Sequence, residues 1–439
     1  MGHDHSRPAT AAPPRVRRVL IATVVPLFLV TLVAALVLWP RDTPSVGGGE
    51  DAARYHGTVA RVVTEPCPPA PETPEGTTEG PCGTVTVTVD TGPDAGQRVE
   101  TALPTGPGAP AVEVGDEIVL VVLTDPADPT VSSYSIAAHQ RGQPLIWLAL
   151  AFAVAIVAFG RWRGLAALGG LVASFAILLT FVLPGISAGQ APLPVAVTGA
   201  ALIMFVVLYL THGVTAQTSV AVLGTLASLV LTGILGSLAT AFTHLTGYGS
   251  EDATTLSMFQ ADVDLHGLLL AGIIIGSLGV LDDVTVTQAA TVTELARANP
   301  DLTRLQLYRA ATRVGRAHIA STVNTIVLAY AGASLPLLLL LTADTRGISE
   351  IVTSEFLAQE IVRSIVATLG LIAAVPITTG LAALVTTAGR NRPPARRPPR
   401  PAGDPDEALA ALSSPRAATT GAPDAAPATG RPGNTDSSW

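Results

Sequence analysis

The chain has 439 residues, of which 49% are hydrophobic and only 13% charged. A soluble domain carries about 25% charged residues, so this composition belongs with polytopic membrane proteins and excludes an ordinary globular enzyme. The net charge of −8, with no basic stripe interleaved with aromatics, argues against a nucleic-acid partner.

Residues 1–18 read as a polar cytoplasmic tail carrying Arg7, Arg15, Arg17 and Arg18. The apolar run Val19–Trp39 follows. It is long for a signal-peptide core and no small-residue cleavage motif closes it, so an uncleaved transmembrane anchor is expected. The arginines before it hold the N-terminus in the cytoplasm.

Residues 40–143 then fall outside the cytoplasm. Gly57–Val63, Thr84–Val89, Arg98–Thr101 and Glu117–Leu123 alternate with a period of two and are rich in β-branched residues, the pattern of strands. Thr91–Gly96 reads as a hairpin connection and Val114–Asp116 as a turn. The segment is expected to form a small β-rich barrel, OB-like in kind. Cys67 and Cys82, the only cysteines, flank an insert rich in Pro, Glu, Thr and Gly. In an oxidising compartment a disulfide pinning that insert is expected, the alternative being two free thiols; the ligands for a zinc site are too few.

Apolar spans resume at Pro144–Phe159, Leu165–Leu183, Pro192–Leu210, Val214–Phe242, His266–Val286, Ile319–Leu341 and Ala358–Val385, each near the length needed to cross about 30 Å of hydrocarbon. Arg161 and Arg163, the cluster Arg297–Arg316, and Arg390–Arg400 fall in alternate loops, and the intervening loops are acidic or neutral. Eight spans with both termini inside place every basic cluster on the cytoplasmic face of the plasma membrane. Residues 144–387 thus form a seven-helix domain, and 388–439 a Pro/Ala/Arg-rich, disordered cytoplasmic tail. All basic residues are arginine; with the Ala, Gly and Pro content this fits a high-GC genome, as in actinobacteria.

Asp282 and Asp283 end the apolar run that begins at His266. A carboxylate inside lipid costs about 2.5–3.5 kcal/mol on insertion scales, so such residues face a bundle interior, an aqueous cavity or a partner. On a continuing helix Asp283, Thr287 and Glu294 share a face. The segment Asn299–Arg316 reads as an amphipathic docking helix. The next span opens with His318, Ser321, Thr322, Asn324 and Thr325, and Thr379 lies at similar depth late in the last span. These residues are candidates for a polar layer that binds a proton, ion or substrate. The competing reading is an interfacial aspartate pair bonded to Arg309 or Arg313. Gly272 and Gly276 allow close helix packing. Glu360 and Arg363 are spaced as a structural ion pair. Asp262, Asp264 and His266 are only a loose metal set, and neither metal nor cofactor is expected. No Walker, His-Glu-x-x-His or Gly-x-Ser-x-Gly motif is present, so no enzyme is expected.

The stretch Leu268–Gln288 with its Asp282-Asp283, then Glu294–Asp301, His318–Ile326, Ala329–Pro336 and Gly160–Gly164, resembles the YibE/F family of bacterial membrane proteins. The resemblance implies a multi-span protein with an extracytoplasmic N-terminal domain and implies little chemistry. A shorter likeness, covering about 70 residues, is to the SecD/SecF branch of the resistance–nodulation–division transporters. On that pattern Asp282 matches the membrane aspartate and Asn324-Thr325 the threonine-rich start of a span. The large outer domain of those proteins has no counterpart here. Two functions are expected from these features: a proton- or ion-coupled transporter of a small-molecule or protein substrate, or a non-transporting envelope scaffold whose outer domain binds a partner.

Overall fold

The computed structural model describes residues 13–41, 53–66, 82–106, 108–124, 132–260, 263–336, 338–339 and 347–387. The tail from 388 onward and Cys67 lie outside them.

Helix α1 spans Pro14–Val37. It is a membrane-length apolar helix that lays one stripe, Val16, Leu20 and Val24, into the main core. Phe28 meets Phe205 edge-on at 5.2 Å between ring centroids.

Five strands follow: β1 Arg54–Glu65, β2 Cys82–Val89, β3 Arg98–Ala102, β4 Glu117–Thr124 and β5 Ser132–His139. All neighbours are antiparallel, in the order β3-β2-β1-β4-β5. The alternation read from the sequence sends Val59, Val85, Val87, Val89, Ile118 and Leu120 into one core. Thr101 on β3 donates its hydroxyl to the Tyr134 carbonyl on β5, drawing the two edge strands together. Gly57 is needed at the centre, since a Cβ there would stand 2.6 Å from Val87. Cys82 at the start of β2 is disulfide-bonded.

The described elements that follow are helical. α2 is Gly142–Ile177, continued by a π turn Leu178–Val182 and the short α3 Leu183–Ser187. Then come α4 Pro192–His212, α5 Ala216–Phe242, α6 Glu251–Phe259, α7 Leu265–Ala298, α8 Arg304–Ala333, α9 Ile348–Val352 and α10 Glu355–Thr387. Helix starts use the expected chemistry. Thr215, Ser250, Asp264 and Thr303 cap α5, α6, α7 and α8, and Thr303 with Gln306 forms a capping box.

Among the described residues six helical runs are long and apolar enough to cross a membrane: α1, the run Gly142–Ser187, α4, α5, α7 and α10. Two of the spans read from the sequence lie inside the Gly142–Ser187 run. They are separated at Arg161, which adopts φ 52° and ψ −129°. The bend is so tight that a Cβ on Gly164 would stand 2.3 Å from the Ile156 carbonyl oxygen. The amphipathic segment and the following span are not separate elements. They form one continuous helix, α8, which carries His318, Ser321, Thr322, Asn324 and Thr325 from its midpoint onward and is not among the six. Large apolar side chains such as Phe159, Trp162 and Leu148 point away from the bundle, the arrangement expected of surface meeting hydrocarbon.

Candidate functional site

The best-packed part of the bundle is α5, α7 and α10. Small residues set that closeness. A Cβ on Gly224 of α5 would stand 2.2 Å from the Thr378 hydroxyl of α10, and one on Gly370 of α10 would stand 2.1 Å from the Thr232 hydroxyl of α5. The hydroxyls of Thr225, Ser228 and Thr232 are buried and donate to carbonyls four residues back, which satisfies them inside their own helix. Thr225 also meets Thr285 of α7 at 2.6 Å. One turn further along α7, buried Gln288 donates to the Thr379 hydroxyl at 2.9 Å and to the Ala311 carbonyl of α8 at 3.2 Å. Gly315 of α8 leaves room for that amide: a Cβ there would stand 2.4 Å from Gln288 Nε2.

Asp282 and Asp283 sit on α7 between Ser277 and this polar layer. Successive helix residues are 100° apart, so the pair points in two directions. Asp282 is half-buried, and its Oδ1 is enclosed without a hydrogen-bond partner. Asp283 is exposed, with its Oδ2 3.8 Å from His318 Nε2 on α8. Among the described residues neither carboxylate is paired with Arg309 or Arg313. Buried polar groups are normally satisfied, so an enclosed, unpartnered carboxylate oxygen marks a place that asks for a proton or a ligand.

The other expected site residues divide. His318 joins the pair, and the Thr322 hydroxyl donates back to the His318 carbonyl. Thr379 joins the layer through Gln288. Thr287 lies instead on an open groove of about 620 Å³ with His212, Gln217, Thr291 and Glu294. Asn324 and Thr325 are exposed on α8; Thr325 bonds the Ser321 carbonyl, and neither reaches an aspartate. Asp264 is spent on capping α7 through the Gly267 amide, and His266 meets the Thr240 hydroxyl at 3.2 Å, while Asp262 lies outside the described residues. No cluster of metal-ligating side chains occurs among the described residues. Sequence reading missed Gln288, Thr225 and Thr285. Part of the signal was present as Thr225, Ser228 and Thr232 on one face of α5, where Thr232 meets Gly370 of α10 and Thr225 meets Thr285.

Six membrane-length helices packed around buried polar side chains, with a small antiparallel sheet near the N-terminus, define a polytopic helical membrane protein. A family model described as YibE/F-like protein matches residues 148–388, more than half of the chain, from within α2 to the end of α10. The chain belongs to the YibE/F-like family. No curated protein and no solved structure matches it, so the shorter SecD/SecF likeness gains nothing from these comparisons.

Proposed function

We propose that this protein is a secondary transporter or exporter of the plasma membrane, coupled to protons or another cation through Asp282 and Asp283. The observation that carries this reading is the enclosed, unpartnered Oδ1 of Asp282 inside a membrane-length helix, with Asp283 and His318 beside it. His318 of α8 faces Asp283 across 3.8 Å and extends the polar layer to the neighbouring helix. Asp282 holds a proton on the interior side of the same turn. Gln288, Thr379 and the α8 backbone fix the helices around them, so that proton occupancy is felt as helix packing. Both termini lie in the cytoplasm on this reading. No bond-making chemistry is assigned.

The test compares the culture medium of a deletion strain carrying wild type, Asp282→Asn/Asp283→Asn, or an empty vector, with solutes and secreted proteins profiled by mass spectrometry. The double variant is expected at normal membrane level with the profile of the empty vector. A wild-type profile from it removes the aspartates from the mechanism.

A second reading rests on the self-contained valine and isoleucine core of the five strands. Their order and the β3–β5 edge contact support reading the sheet as an OB-like barrel, a fold that lends itself to binding a partner. On this reading the bundle is an anchor and the barrel is the binding module.

A further inference from the structure

One charged cluster stands apart from the aspartates. On α10, Arg363 Nη1 donates to Glu360 Oε1 at 2.9 Å, and both side chains are more than two-thirds buried. Two turns into a membrane-length helix, an ion pair of this kind costs desolvation energy that packing alone does not require. The pair uses only part of the guanidinium. Nε is enclosed and has no partner. Nη2, on the same edge as Nε, faces Gly272 of α7, where a Cβ would stand 4.0 Å away. One turn along α7, a Cβ on Gly276 would stand 3.3 Å from the Tyr330 hydroxyl of α8. That hydroxyl makes no hydrogen bond among the described residues. A Cβ on Gly279 would meet nothing within 4 Å. The glycines of α7 therefore form an open floor. An arginine edge from α10 and a phenol from α8 overlook it, and Asp283 lies one turn beyond Gly279 on the same face.

We infer that the Nε–Nη2 edge of Arg363, with the Tyr330 hydroxyl, is a binding station for an oxyanion, the carboxylate or phosphate of a solute, on the glycine floor of α7. A guanidinium edge matches the two oxygens of such a group in a fork, and the phenol supplies a third donor. Glu360 holds the guanidinium in place from its other side. The inference deepens the transporter reading and rests on it for its purpose: an anion at Arg363 and a proton at Asp283 lie along one face of α7. The station itself stands on Arg363, Tyr330 and the glycines.

The experiment is thiol labelling of Gly272→Cys in native membranes. The anionic sulfonatoethyl and the cationic trimethylammonioethyl methanethiosulfonates are applied in parallel, with wild type as the control. Cys82 is disulfide-bonded and does not compete. Ser349→Cys, on exposed α9, serves as a surface reference. The anionic reagent is expected to react about tenfold faster than the cationic one at position 272, relative to that reference, because Arg363 Nη2 stands 4.0 Å from a Cβ there and its partner Glu360 is not within that distance. Arg363→Gln should abolish the preference and Arg363→Lys should retain most of it. Succinate protecting the thiol identifies a carboxylate site, and inorganic phosphate a phosphate site. No labelling at 272 while 349 reacts, or equal rates for both reagents, overturns the station. Repeating the series on Asp282→Asn separates the two proposals: the preference should persist there even if the aspartates prove irrelevant to transport.

Discussion

Gln288 of α7 donates to the Thr379 hydroxyl of α10 at 2.9 Å, and both side chains are buried. The same amide reaches the Ala311 carbonyl of α8. One side chain thus joins three helices less than two turns from the aspartates. Replacing Gln288 with Leu removes both bonds and leaves Thr379 to find another partner. The cost should be about 1–3 kcal/mol. It should appear as a lower thermal midpoint in detergent, and a Thr379→Val/Gln288→Leu pair should recover part of the loss. No change on Gln288→Leu would show that the amide is incidental.

Gly224 and Gly315 should tolerate no added methyl. Ala at 224 drives into the Thr378 hydroxyl and Ala at 315 into Gln288 and Val375. Each substitution should lower stability by about 1–3 kcal/mol through overpacking. Gly380→Ala is the control, because nothing stands within 4 Å of its Cβ. Equal thermal midpoints for all three would contradict this packing.

Arg161 and Gly164 should respond in opposite senses. Arg161 occupies a positive-φ conformation that glycine adopts freely, so Arg161→Gly should be neutral or stabilising by about 1 kcal/mol. Gly164→Ala should be destabilising, since its Cβ would meet the Ile156 carbonyl. Chemical unfolding of the two variants side by side decides the matter. Harm from Arg161→Gly equal to that from Gly164→Ala would argue against the bend.

In the sheet, Tyr134 donates its hydroxyl to Asp94. That hydrogen bond, helped by desolvation and the Asp94 charge, pushes the phenol up to about 12. The folded state therefore favours the neutral phenol. The contribution to stability is complete below the ordinary tyrosine value of about 10 and is lost as pH rises through the folded value. Ultraviolet titration of phenolate should show one tyrosine ionising late, and Asp94→Asn should return it toward its ordinary range. An unchanged titration curve in the variant would break the assignment.

Much of this fold was legible in the sequence because hydrophobic length and period-two alternation are local signals. Val59 of β1 and Val85, Val87 and Val89 of β2 fall inward as the alternation requires, while a bulge between Val59 and Arg61 shifts the register of the rest of β1. The Asp282-Asp283 pair was legible because charge inside an apolar run stands out. Three features were not. The joining of the docking segment to the following span depends on helix continuity through Gly315 and Arg316, which arginine spacing does not report. The direction in which Asn324 points depends on how α8 packs against α10, and packing is not local. Gln288 reads as an ordinary polar residue until Gly315, Ala311 and Thr379, all distant in sequence, converge on it.

The central claim is that the aspartates couple solute movement to protons. Everted membrane vesicles from the deletion strain complemented with each variant provide the direct test. Respiration establishes a pH gradient, followed by quenching of an acridine dye, and concentrated medium from the wild-type-complemented strain supplies the solute. Addition should partly dissipate the gradient in wild-type vesicles and leave it intact in Asp282→Asn vesicles containing the same amount of protein. Equal dissipation in both would contradict the account.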